Sequence, residues 1–318
     1  MSRPTIVVFG ATGRAGSALV RAALADPQRR FHVRAATRQP SGEAAGALAR
    51  AGAEVVHADL DAAATVVRAM QGAHGAYCTA AYWEHRTPER TLAQAHTLAW
   101  AAARAGVAHV VWSTAEDTRE FAPPGTTMPV LHGRYAVPAF DALGEANHAF
   151  VEPAVPTTLL YPALAWEDLV RLGLRRGPAG AHTLLLPFGA SRFAGIAGDD
   201  IGACTLAIFA AGDDAIGKAI GIAGEHLTGR QMADQLALAL RAPVAHAPAT
   251  RAACAQLDLP GADEIANLFQ FQHDFEHAYL RARSLACARE LHPGLMSFAA
   301  WLARRRRALP RATREAFA

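Results

Sequence analysis

Lysine is almost missing from this chain. Lys218 is the only one in 318 residues, set against an abundance of arginine and alanine. The skew reads as a coding bias that exchanges lysine for arginine, so a missing lysine carries meaning only where arginine has not taken its place. Cysteine is scarce too: Cys78, Cys204, Cys254 and Cys287 stand far apart and form no C-x-x-C, which argues against a zinc site or a disulfide framework. Gly-x-Ser-x-Gly is absent, removing the strand-turn-helix nucleophile of the hydrolases. Charge of one sign is not in excess, the formal net charge being +3, so neither nucleic acid nor an anionic membrane is indicated as a partner. The basic run Arg304 to Arg307 reads as a solvated tail. No apolar stretch reaches about 18 residues, and no charged-then-apolar segment opens the chain. The expectation is a cytoplasmic protein that neither spans a membrane nor is exported.

What is present begins at the N-terminus. The apolar run Thr5-Ile6-Val7-Val8-Phe9 feeds Gly10-Ala11-Thr12-Gly13-Arg14-Ala15-Gly16, and an alanine-rich stretch follows from Ser17. A buried parallel strand entering a glycine turn and then a helix leaves free N–H groups and the positive end of the helix dipole at one spot, where a pyrophosphate can sit. The spacing is G-x-x-G-x-x-G, a departure from G-x-G-x-x-G. The second strand, Phe31 to Thr37, ends in Thr37-Arg38, where an NAD site would carry an acid on the ribose 2′-hydroxyl. An arginine fork there suits a 2′-phosphate, and Arg14 inside the turn is placed to close on the same group. NADP(H) is therefore the expected cofactor.

Strands are expected at 53–57, 73–80, 107–112 and 157–161, with helices at 43–51, 61–71, 88–105 and 142–151. This rhythm is that of an α/β protein with a Rossmann doubly wound parallel sheet. Ligands then lie at the carboxyl ends of the strands, which places Asp59 and Leu60 after the third strand, and Thr79, Ala80, Ala81 and Tyr82 after the fourth, on the cofactor side. Trp83 beside Tyr82 is read either as packing under a loop or as an aromatic lid. Past residue 160 a strand is expected at 183–186, a helix with an Asp cap at Asp199-Asp200, a strand at 219–223, a helix from Thr228 and a long helix over 261–284. The expected division is an NADP(H)-binding domain over 1–160 and a smaller α/β substrate or partner domain over 161–318, with interleaved segments allowed.

Several of these segments together resemble the NmrA-like proteins, atypical relatives of the short-chain dehydrogenases. The resemblance is carried by Gly10 to Gly16, Thr37-Arg38, Val110 to Thr114 with Glu116 to Arg119, Phe140-Asp141 with Gly144-Glu145, Pro162 with Trp166-Glu167-Asp168, Ile222 to Thr228, Pro260 to Ala262 and Asn267 to Phe271. It implies a Rossmann fold, NADP(H) binding in which Leu143 and Pro162 join the turn residues, and a small carboxyl-terminal domain. The family includes both reductases and cofactor-binding regulators, so it does not imply one activity.

The chemistry departs from the dehydrogenase pattern. Short-chain dehydrogenases use Tyr as acid with Lys four positions on, lowering the pKa of the phenol. Four positions after Tyr135 stands Ala139. The F-D-x-K-G-E pattern of the relatives reads Phe140-Asp141-Ala142-Leu143-Gly144-Glu145, and coding bias does not explain Leu143. Tyr135, His132 and Ser113 remain as catalytic candidates, with Tyr82-x-x-x-Arg86 as a second tyrosine-plus-cation pair. His273 and His277 lie four apart without a third ligand, so no metal is expected. Two readings follow: a cofactor-responsive regulator with little dehydrogenase chemistry, favoured by Leu143 and the missing dyad, or an NADPH-dependent reductase of a small quinone, aromatic or carbonyl compound. The partner stays open between a small-molecule substrate and another protein, and homo-oligomerisation stays open as well.

Overall fold

The computed structural model describes residues 3–151, 155–176, 181–186 and 189–305. Thirteen short strands occur among them. β1 (Thr5–Val8), β2 (His32–Thr37), β3 (Glu54–His57), β4 (Gly75–Cys78), β5 (His109–Ser113) and β6 (Thr157–Pro162) alternate with helices. They are followed by β7 (Leu164–Ala165), β8 (Leu174–Arg176), β9 (His182–Leu185), β10 (Arg192–Ile196), β11 (Ala219–Ile222), β12 (Glu225–Thr228) and β13 (Val244–Ala247). The main sheet is wholly parallel in the order β11-β6-β5-β4-β1-β2-β3. Its order reverses between β1 and β4, the crevice at which doubly wound sheets hold their ligands. Two three-stranded sheets, β12-β10-β7 and β13-β9-β8, stand beside it.

Apolar spacing explains the helices. In Arg14–Leu24 the buried Gly16, Leu19, Val20 and Ala23 recur at the three- and four-residue intervals of one helix face. Gly229–Leu240 is opened by a capping box between Thr228 and Gln231, which satisfies two otherwise orphaned donors. One face of the main sheet packs Val8, Val111, Leu160 and Ile222 under the helices Arg14–Leu24 and Gly198–Ala211. The other packs Val7, Val110 and Trp112 under Pro88–Ala105 and its neighbours. A third core around Trp166, Phe193, Met232, Phe298 and Trp301 fills the carboxyl-terminal part.

The sheet takes its last strand, β11, from residues 219–222. Three sequence expectations change in detail. The helix expected at 142–151 starts earlier, with Pro138 in its first turn, and stops at Glu145; a separate turn, His148–Val151, follows. Pro138 is preorganised for that first turn, and the break leaves Asn147 outside either helix. The helix at Asp199 is preceded by Ala197 and has no side-chain cap. Asp199 pairs with Arg21 at 2.9 Å and Asp200 accepts from the Met296 N–H at 2.8 Å. Finally, 261–284 divides at Phe275 into Ala262–Asp274 and Glu276–Ala282.

A close crossing joins the carboxyl-terminal part to the helix that follows the glycine turn. Gly202 lies against the backbone of Ala18 and Leu19, and a Cβ there would overlap both residues. Arg305 pairs with Glu167 and Asp199 at 3.3 and 3.4 Å; Arg306 and Arg307 of the basic run lie outside the described residues. Overpacking of this kind costs about 1–3 kcal/mol. Gly202→Ala is therefore expected to lower the free energy of unfolding in urea by that amount, and an unchanged midpoint would contradict the crossing.

Candidate functional site

The glycine turn lies at the carboxyl end of β1. Gly10 takes φ +65°, Gly13 N–H donates to its carbonyl at 2.9 Å, and a Cβ on Gly16 would overlap that same carbonyl. The helix beginning at Arg14 has no side-chain cap, so its first N–H groups stay free for an anion. Gly13, Arg14, Ala15 and Gly16 thus form an open cradle in which side chains at Gly10 or Gly16 would interfere.

On the β2–β3 side of the turn a cleft of about 160 Å³ is lined by Gly10, Thr12, Thr37, Arg38, Asp59, Leu60, Thr79 and Ala81 among the expected cofactor residues. It is also lined by Glu84, His85, Arg90 and Gln94, which sequence reasoning missed. Glu84 matters most: its carboxylate accepts from Arg38 Nη2 at 2.5 Å, both groups being half exposed. An acid does stand at the end of β2, then, delivered from 46 residues away. Arg90 and Gln94 both bond Asp61, and these two bonds hold its carboxyl below the usual range. Arg14 does not join Arg38. Its guanidinium pairs with Asp168 at 2.8 Å, and its methylenes lie against Gly198.

The catalytic candidates are engaged elsewhere. Tyr135 is fully buried, its oxygen accepts from Arg134 Nη2 at 2.8 Å, and the guanidinium groups of Arg119 and Arg134 both lie against its ring. Burial pushes its phenol up. His132, with φ +45°, bonds Glu264 at 2.9 Å in a separate cleft shared with Arg86. The Ser113 hydroxyl bonds the phenol of Tyr77, whose burial lifts its pKa to about 12. Tyr82 is buried beside Glu264, burial being the larger reason that its phenol holds its proton. Trp83 packs edge-on against Tyr82 and remains half exposed. His273 bonds Ser191 at 2.8 Å, and among the described residues no group of three His, Cys, Asp or Glu side chains is arranged to hold a metal.

The ends of β5 and β6 carry a different cluster. Asn147, released by the helix break, accepts from Trp112 Nε1 at 3.0 Å and from Thr114 Oγ1 at 2.7 Å. It donates to the Tyr161 oxygen at 3.2 Å. Thr114 also lies 3.0 Å from the carbonyl of Leu143, which brings Leu143 into this network. Arg283, a buried guanidinium from the carboxyl-terminal part, holds Glu116 in a two-bonded pair, one bond at 2.8 Å. It donates to the Pro162 carbonyl at 3.3 Å and lies over the ring of Tyr279 at 3.8 Å. A cation therefore does reach this edge, far in sequence from Leu143. Asn147, Tyr161 and Arg283 were missed because each is brought in by tertiary contact; the one local signal was a Tyr-Pro pair ending a strand on the ligand edge.

The residues present fit a dinucleotide. Free helix N–H groups face the turn, glycines stand where a Cβ would intrude, and a guanidinium borders the adjoining cleft. Together with the reversed parallel sheet these features define a Rossmann-type protein. More particularly, residues 2–302 match the NmrA-like family, and the chain belongs to that family.

Among its relatives, the NmrA-like family domain-containing oxidoreductase malD of Malbranchea aurantiaca is 31% identical over 172 residues, covering 53% of this chain and 51% of malD. The chain spans about half the length of the curated relatives it matches, or less. Among solved structures, NmrA, a negative transcriptional regulator, in complex with NADP superposes with a TM-score of 0.77 at 21% identity over 95% of each chain. The same regulator is also similar in its complex with NAD. Citrobacter sp. triphenylmethane reductase complexed with NADP(H) gives 0.73 at 17% identity, over 95% of this chain and 99% of that one. Among the described residues no helix is long and apolar enough to cross a membrane.

The buried pair at the edge makes a clear test. Removing one partner strands a buried charge and costs about 3–5 kcal/mol, whereas replacing both with apolar or neutral groups of similar size is close to neutral. Arg283→Ala is expected to lose most of that stability in urea unfolding, and Arg283→Met with Glu116→Gln to recover much of it. Equal stability of Arg283→Ala and the parent would show that the pair does not hold the edge together.

Proposed function

We propose that this chain binds NADP(H) and uses it as a reductase of a small conjugated acceptor such as a quinone or an aromatic carbonyl compound. The observation that carries the cofactor reading is Arg38 at the mouth of the cleft beside the glycine turn. A 2′-phosphate there would take Arg38 from Glu84, exchanging a half-exposed ion pair worth about 0–1 kcal/mol for a charge-assisted phosphate contact worth about 1.5–3 kcal/mol. NADPH bound there would supply hydride, and the free N–H groups after Gly13 would hold its pyrophosphate. Curated relatives named as oxidoreductases support the reductase reading.

The regulator reading, favoured by Leu143 and the missing dyad, needs a surface segment that responds to the cofactor, and the stretch 119–138 that leaves the ligand edge after β5 is the candidate. That loop is held already. Asp141, fully buried, accepts from Thr118 and from the Ala136 and Val137 N–H groups, while Asn267 donates to the carbonyls of Pro129 and Ala136 at 2.9 and 2.6 Å. A loop fixed at both ends leaves little for a cofactor to order, which favours the reductase.

Calorimetric titration tests the cofactor half. NADPH is expected to bind at least about tenfold more tightly than NADH. Arg38→Ala should remove that preference and Glu84→Gln should widen it. Equal affinities in the parent protein would overturn the assignment. Assay with quinones and simple carbonyls tests the other half, where NADPH oxidation at roughly 1 per second or more is expected with at least one acceptor class.

A further inference from the structure

We propose that Tyr161 is the proton donor at the reducing end of the site and that Asn147 positions it. The inference rests on the reductase reading.

The chain has five tyrosines, and four of them are shut away. Tyr77, Tyr82, Tyr135 and Tyr279 are all at most 2% exposed, and their surroundings are the Ser113 hydroxyl, Glu264, two arginines and the Arg283 guanidinium respectively. Tyr161 alone keeps part of its surface. It also lies furthest toward the ligand edge: Tyr77 is level with Val111 and Thr158 in the parallel register, three residues short of Tyr161 on β6, and β6 pairs with β5 through Leu160 and Ser113. The anion cradle lies at β1 and the Arg38 cleft lies toward β2 and β3, so an extended dinucleotide must send its other half over β4, β5 and β6. At ~4.8 Å between neighbouring strands, the end of β6 is roughly 14 Å from the cradle.

The hydrogen-bond pattern decides what Tyr161 can do there. Asn147 has spent its carbonyl on Trp112 and Thr114, so only its amide N–H is turned to the phenol, and Tyr161 must accept. The phenolic proton is left without a described acceptor and is free to be donated. Burial, with Glu116 nearby, keeps the phenol protonated at neutral pH, while the Asn147 bond and Arg283 oppose this by favouring the phenolate. Donation followed by recovery is thereby supported: the phenolate that forms keeps its amide donor and has a guanidinium close by. The step balances. Hydride brings two electrons and one proton to the acceptor, the Tyr161 O–H bond breaks as a new O–H forms on the acceptor oxygen, and the phenolate regains a proton from water. Leu143, in the place of the relatives' lysine, leaves this role to a group held by other means.

Tyr161→Phe is the test, with NADPH oxidation by 1,4-naphthoquinone and by an aromatic aldehyde as the reaction. Positioned acids contribute about 10²–10⁴-fold, so the variant is expected to lose at least about a hundredfold in kcat, and more with the aldehyde than with the quinone. Its NADPH affinity by calorimetry should stay within about twofold. Replacement of Tyr161 by 3-fluorotyrosine, which hardly changes shape, should shift the alkaline limb of the pH–kcat profile to lower pH, a change that a structural role would not produce. If the parent turns over an acceptor and both variants keep its rate and profile, Tyr161 is not the donor and the reductase reading stands without it. If the parent binds NADPH and reduces nothing in either acceptor class, the reductase reading fails and this assignment fails with it.

Discussion

The site depends on how closely a helix can approach the strand that precedes it. The Gly10 carbonyl and Gly16 leave no room for a Cβ between them, so the helix Arg14–Leu24 starts directly over the end of β1 with its first N–H groups uncovered. Gly202 repeats the device one layer out, letting the helix Gly198–Ala211 rest on the backbone of Ala18 and Leu19. The two contacts fix the cradle from behind. The second also anchors the carboxyl-terminal part of the chain, from which Asp168, Arg283 and strand β11 reach the sheet.

From the cradle the sheet order distributes the chemistry. Toward β2 and β3 lie the polar cleft and the Arg38–Glu84 pair; toward β4, β5 and β6 lie Thr114, Asn147, Tyr161 and the buried Arg283–Glu116 pair. The first group suits recognition of a charged ribose. The second is a hydrogen-bonded network backed by a buried cation, and the Leu143 carbonyl joins it through Thr114. Arg283 is not an open cation, because Glu116 neutralises it; its part is to hold Glu116 and the Pro162 carbonyl in place beside the phenol.

The strand-turn-helix start, the parallel strands β1 to β6 and the Thr37-Arg38 end of β2 were legible because each is written in contiguous residues with a local physical signature. The helix start at Thr228 was legible for the same reason. Long-range pairing was not. Arg38 looked free of acid because Glu84 arrives from a different loop, and Arg14 looked committed to the cofactor because Asp168 lies 154 residues away. Tyr135 drew attention by its position in the pattern, yet Arg119 and Arg134 enclose it. Asn147 could not be singled out while 142–151 read as one helix; only the break after Glu145 sets its side chain free.

On the proposed reading one dinucleotide would lie across the whole edge, its phosphate end on Arg38 and its reducing end at Tyr161. A crystal structure of the protein with NADP⁺ is the direct measurement. The 2′-phosphate is expected on Arg38 with Glu84 turned away, the pyrophosphate on the N–H groups that follow Gly13, and the nicotinamide ring over the ends of β4 to β6 with C4 facing an open space beside the Tyr161 phenol. A nicotinamide ring directed away from Tyr161, or a 2′-phosphate that leaves the Arg38–Glu84 pair intact, would contradict that reading.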